Sequence, residues 1–222
     1  MTKKLSPRKR DAGMSQNKLA AERIRETARD LFYRQGIRAV GVDEIVARAG
    51  VTKPSLYRSF ASKDELAAAC LRDRSDDYLR RFDAAMMEHP DDPRAGFRSW
   101  LQQLSQKATK PDYRGCALTN AVVEYPERKN PARLVAAANK REFRAKLRKA
   151  AAAMGAKEPD MLGDALLLLI EGAYVSGQLF GPDGPARVVA NAADALIESS
   201  CGKRGIVSEQ DAMAIVRTME VK

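Results

Sequence analysis

Apolar residues recur at three- and four-residue intervals along most of this chain, and the clearest such stripe is Val42, Ile45, Val46 and Ala49, one face of a short helix. Gly41 and Glu44 stand where an N-cap and its return partner belong, and Gly50 ends the helix. Thr52 can cap a second helix with its hydroxyl, and Pro54 fits that helix's first turn, where a missing N–H costs nothing. Lys63 opens a third segment behind Ser62. Two short helices joined through a glycine turn make a helix-turn-helix.

Beyond Phe60 the pattern stays helical. Leu66, Cys70, Tyr78, Phe82 and Met86 trace one side of a long helix over about residues 62–88, and Phe97, Trp100, Leu101 and Leu104 stripe another opened by Asp92 and Pro93. Further helices are predicted over 118–125, 132–154, 160–180 and 186–198, with a last amphipathic piece over 208–219. No alternating strand pattern competes. The predicted fold class is all-α: an N-terminal three-helix head and a C-terminal helical bundle. The expected organisation is a basic flexible tail at 1–17, a helix-turn-helix domain at 18–62 with its motif at about 41–60, a body at 63–200, and a C-terminal extension at 201–222 forming one short helix.

The second short helix has an unusual exterior. Only Leu56 and Phe60 point inward, which leaves Thr52, Lys53, Ser55, Tyr57, Arg58 and Ser59 outside as hydroxyls, cations and a phenol. Such groups suit phosphates and base edges in a major groove; a merely solvated face is the plainer alternative. Charge supports the first. Of the formal net charge of +10, residues 1–60 carry 14 Lys/Arg against 6 Asp/Glu, so the positive field belongs to the head. Lys3, Lys4, Arg8, Lys9 and Arg10 could add phosphate contacts without base specificity, or simply solubilise the terminus.

Three fragments, Ala49-Gly50-Val51-Thr52, Leu56-Tyr57-Arg58-Ser59-Phe60 and Ser62-Lys63-Asp64-Glu65-Leu66, resemble the N-terminal domain of the TetR/AcrR family of bacterial transcriptional regulators over about residues 18–71. Gly41 stands where that family often has a Ser or Thr touching phosphate, and Ser59 where it often has His. The resemblance implies DNA contacts by Gly41, Val42, Thr52, Lys53, Ser55, Tyr57, Arg58, Ser59 and Lys63, with Tyr57 and Lys63 on phosphates. Two late helices are apolar nearly all round and must be buried, either within one bundle or against a second copy. The resemblance favours a homodimer, with Leu166, Ile170, Ala173, Gly177, Val188, Val189, Ala192 and Leu196 at its interface. Tyr78, Phe82, Met86, Phe97, Trp100, Leu104, Phe143 and Tyr174 have the composition of a pocket between helices and equally of a core; by resemblance they would bind a small-molecule effector that releases operator DNA.

Enzyme readings lack their parts. The single histidine, His89, lies beside Pro90 in a polar turn, and no H-E-x-x-H, G-x-S-x-G, G-x-x-x-x-G-K or G-x-G-x-x-G occurs. No cofactor or metal site is expected. Cys70, Cys116 and Cys201 are isolated, which suits a reducing compartment, and neither a membrane span nor a secretion signal is read from the sequence, so a cytoplasmic location is expected. The expected function is that of a sequence-specific DNA-binding regulator, a repressor. The alternatives are an architectural DNA-binding protein without an effector, and a thiol-sensing regulator in which Arg114 and a helix start activate Cys116.

Overall fold

The computed structural model describes residues 7–201, and among these the regular structure is helical throughout. The head consists of α1 (Pro7–Gln35), α2 (Val42–Ala49) and α3 (Lys53–Ser59). The body consists of α4 (Lys63–Met87), α5 (Pro93–Ala108), α6 (Ala117–Glu124), α7 (Pro131–Ala153), α8 (Pro159–Phe180) and α9 (Val189–Cys201), with short 3₁₀ turns at Gly181–Asp183 and Pro185–Val188. The helix expected over 208–219 lies outside the described residues.

Local chemistry places most of these boundaries. Thr52, Ser62, Asp92 and Asn130 each turn a side-chain oxygen to a backbone N–H of the following first turn. Proline occupies the first turn of α3, α5, α7 and α8, where it removes only a donor that had no helical partner. Two expectations are corrected. Residues 7–17, expected within a flexible tail, continue α1 as helix. The last helix of the bundle begins at Val189, because Pro185–Val188 winds as a 3₁₀ turn after Gly184.

One buried cluster runs from head to body. In the head, Ile24, Ala28 and Leu31 of α1 meet Ile45 and Leu56, and Leu66, Ala67 and Cys70 at the start of α4 close the same core. In the body, Phe82, Phe97, Trp100 and Phe143 meet mostly edge to face at centroid distances of 5.3 to 6.4 Å, joining α4, α5 and α7. α7 then packs on α8, and α8 on α9. α4 therefore belongs to both cores.

Candidate nucleic-acid interface and cavity

The turn between α2 and α3 depends on Gly50. It adopts φ 62°, ψ 41°, and the Val51 N–H reaches back to the Val46 carbonyl at 3.0 Å, closing α2 and redirecting the chain. Gly41 caps α2 in extended conformation but contributes no side-chain hydrogen bond; Glu44, expected as its return partner, pairs instead with Arg48 at 3.0 Å. Leu56 is fully buried and pins α3 to the head, so the remainder of that helix faces outward.

That outward face is pre-ordered. Thr52 Oγ1 lies 3.0 Å from Ser55 Oγ, Arg58 Nη2 donates to Ser55 Oγ at 2.8 Å, and Ser59 Oγ donates to the Ser55 carbonyl at 3.3 Å. Lys53 pairs with Asp43 at 2.7 Å across the turn, which raises its pKa by hydrogen bond and charge while both side chains stay exposed. Tyr57 is half exposed, and Gly41 is exposed beside half-buried Val42. The expected DNA contacts thus share one surface, with one exception. Lys63 donates to the carbonyls of Ile37, Arg38 and Val40 at 2.9, 3.2 and 2.9 Å. An ammonium has three protons, and all three are engaged by the loop between α1 and α2, so Lys63 holds the head together where a phosphate contact had been expected.

Two polar contacts join α1 and the loop after it to the segment around α6. The Tyr33 hydroxyl donates to the Gly115 carbonyl at 3.3 Å and accepts from the Arg114 N–H at 3.0 Å. Below it the Glu124 carboxylate accepts the Arg38 N–H at 2.9 Å, while the Arg38 guanidinium donates to the Glu124 carbonyl at 3.2 Å. Gly36 has φ +94°, and a Cβ there would sit 3.3 Å from the Glu124 carboxylate, so glycine lets the two segments approach. Gly115, also at positive φ, sits where a Cβ would strike Gln178.

Beside the first joint lies a cavity of about 100 Å3, lined by Tyr78, Trp100, Leu104, Tyr113, Cys116, Leu118 and Tyr174, with Tyr33, Arg74, Arg81, Gln103 and Lys107 among its remaining walls. Tyr174 donates to the Tyr78 hydroxyl at 2.8 Å. Burial, first among several causes, raises the pKa of both phenols, so they stay neutral donors. Of the eight expected pocket residues, Tyr78, Trp100, Leu104 and Tyr174 line it. Phe82, Phe97 and Phe143 are corrected to core residues at 0 to 3% exposure, and Met86 packs on that core away from the cavity. A helical stripe contains both core and cavity side chains, because the stripe fixes a face and not a depth. Tyr33, from the head, carried no signal of this kind. Arg74, Arg81 and Lys107 read in the sequence as ordinary surface cations.

Cys116 also lines this cavity, at the start of α6, with the Lys140 ammonium 3.5 Å from its sulfur. Burial pushes the thiol of Cys70, in the head core, up to about 12.

The expected interface residues divide. Leu166, Ile170, Ala173, Gly177 and Val189 lie inside the protomer and are corrected to its core. A Cβ on Gly177 would lie 2.8 Å from the Ala108 carbonyl and the Tyr113 ring. Val188 and Leu196 are exposed and Ala192 is half buried. The uncovered stripe of α8 is Met161, Leu168, Gly172, Val175 and Leu179, one side of the helix that the sequence could not distinguish from the other because both are apolar. By length and hydropathy alone α8 could cross a membrane. It also carries Asp164, held by Arg144 and Arg148, and Glu171, 2.6 Å from Lys140, a charge load better suited to a soluble bundle.

A family model described as bacterial regulatory proteins of the tetR family matches residues 24–70. The HTH-type transcriptional regulator LmrA of Bacillus subtilis is 34% identical over 85 residues, 38% of this chain and 45% of LmrA. The HTH-type transcriptional activator FasR of Mycolicibacterium smegmatis is 46% identical over 52 residues, 23% of this chain and 24% of FasR. The matched stretches span less than half the length of these curated relatives. Solved structures extend the likeness through the body. A TetR regulator from Streptomyces avermitilis is 30% identical with a TM-score of 0.70, covering 82% of this chain and 97% of its own. A TetR-family regulator from Streptomyces coelicolor is 29% identical with a TM-score of 0.78, covering 83% and 97%. The chain belongs to the TetR family of bacterial regulatory proteins.

Proposed function

We propose that this protein is a homodimeric, cytoplasmic transcriptional repressor that binds operator DNA through α3 and is released when a small molecule occupies the cavity beside Tyr33. The observation that carries the reading is the exposed, internally ordered face of Thr52, Lys53, Ser55, Tyr57, Arg58 and Ser59 on a helix pinned by one buried leucine. Lys53 and Arg58 read bases, Tyr57 positions the helix on a phosphate, and Gly41 with Val42 brings the α2 terminus to the backbone. The partner copy docks on the exposed stripe of α8 and on Val188, Ala192 and Leu196 of α9, which places two heads on half-sites about one helical turn apart or multiples of this.

Release follows from shared walls. Tyr33 belongs to the head and also lines the cavity, so occupancy moves the head only as far as the ligand binds one head spacing better than the other. The test is selection of a duplex from a random pool, followed by gel shift. Arg58→Ala should change which sequences are preferred, whereas Tyr57→Phe should weaken all sequences by a similar factor. Equal affinity of the wild-type protein for selected and random duplexes across salt concentrations would instead favour a non-specific architectural role.

A second reading rests on the Cys116 sulfur in the cavity wall, 3.5 Å from the Lys140 ammonium. In that case alkylation by iodoacetamide releases DNA from the wild-type protein and leaves Cys116→Ala bound.

A further inference from the structure

The cavity has a chemical sign. Its floor is aromatic and aliphatic, its rim carries Arg74, Arg81 and Lys107, and no carboxylate is among its lining residues. The nearest acids are already engaged: Asp77 by Arg81 at 2.5 Å and by Arg80, and Glu171 by Lys140 at 2.6 Å and by Thr119 at 2.7 Å. Arg74 lies over the Tyr33 ring, 5.4 Å from its centroid, and has no ion pair among the described residues. Lys107, though exposed as a residue, has its pKa lowered, first by desolvation and then by the charges of Arg81 and Arg74. Three cations line one opening, and among them only Arg81 has an ion-pair partner, Asp77, in the described residues. A negative group placed there would relieve that repulsion, while a positive one would add to it.

We propose that this cavity selects amphipathic anions of about one ring's size, with the ring against Trp100, Tyr78 and Leu104 and a carboxylate or phenolate at the rim between Arg74, Arg81 and Lys107. Size supports the ring: a dry cavity of about 150 Å3 takes a benzene molecule, and this one, of about 100 Å3, is open to solvent and has exposed Arg81 and Lys107 among its walls. The Tyr78 and Tyr113 phenols, kept neutral by burial, can donate to an anion, while the Tyr174 proton is already given to Tyr78. The inference rests on the proposed reading of this cavity as the effector site, but ligand choice and DNA release can be measured separately.

Trp100 is the only tryptophan in the chain and lies in the cavity wall, so its emission reports occupancy directly. The full-length protein is titrated with benzoate, benzamide and benzylamine, which share the ring and differ in charge. Benzoate should bind at least about tenfold more tightly than benzamide, and benzylamine most weakly. Lys107→Gln and Arg74→Gln, checked for unchanged melting, should bring benzoate down towards benzamide while leaving benzamide in place. Equal or tighter binding of benzamide or benzylamine overturns the proposal, as does a benzoate preference that survives both substitutions, or the failure of all three compounds to perturb Trp100. A gel shift with saturating benzoate tests the other reading: retention of DNA by an occupied protein would refute effector release while leaving the anion selectivity intact.

Discussion

Leu168→Glu separates the two faces of α8 that the apolar sequence leaves alike. Leu168 is 74% exposed in the protomer, whereas Leu166, two residues earlier, is fully buried. Full burial of a leucine is worth about 1.5–3 kcal/mol, so covering the exposed part of Leu168 contributes about 1.1–2.2 kcal/mol per copy. A two-fold interface meets the substitution twice, for about 2.2–4.4 kcal/mol before any cost of desolvating two carboxylates. At about 1.4 kcal/mol per decade, the dimer Kd should rise by at least about thirtyfold. Sedimentation equilibrium measures this, with melting as the control, because a change at an exposed position should leave the protomer's stability within about 0.5 kcal/mol. Gly177→Leu should do the opposite: with the Ala108 carbonyl and Tyr113 ring 2.8 Å from its Cβ position, it should destabilise the protomer itself. A Leu168→Glu protein that stays dimeric at the concentrations where the wild type does would refute this face.

Other consequences follow from single residues. A Cβ at Gly41 meets nothing within 4 Å and the backbone there is extended, so Gly41→Ser should cap α2, raise stability by a few tenths of a kcal/mol and tighten DNA binding; a lower melting temperature would count against the open site. Lys63→Met removes three hydrogen bonds to carbonyls and should cost about 2–4 kcal/mol of folding stability, whereas weaker DNA binding at unchanged stability would return Lys63 to a phosphate role. For Cys70, the folded thiol is raised from 9.0 to about 12, so between these values the unfolded chain binds fewer protons and stability falls as pH rises. Cys70→Ala should show a shallower loss of stability over that range in denaturant titrations, and an identical loss would show that the thiol is not the group responsible.

The head was legible in the sequence because each of its boundaries is local chemistry. Gly50 at positive φ, the Thr52 cap and buried Leu56 act within a few residues of where they stand. Depth was not legible. Phe82 and Tyr78 share a stripe on α4, yet one ends in the core and the other at the cavity, and only the packing of α5 and α7 decides which. The cavity's charge was hidden for a similar reason: Arg74 and Arg81 stand seven apart on one face of α4, but Lys107 comes from α5, and no spacing announces that it joins them. Lys63 fits a general pattern of cations near DNA, and what removes it from that surface is a loop more than twenty residues earlier.

The Tyr33 hydroxyl, held between Gly115 and Arg114 while its ring lines the cavity, bears on how such proteins can be recombined. A chimera that takes its DNA-reading half from a relative also imports whatever residue that relative carries in place of Tyr33, and so rebuilds part of the chamber. On the proposed function, operator choice and ligand choice are therefore not interchangeable modules in this molecule. A graft that ends at α3 but keeps Tyr33, Arg38 and Gly36 from the recipient would preserve the seam, and a designer changing one specificity can leave the other undisturbed only by cutting there.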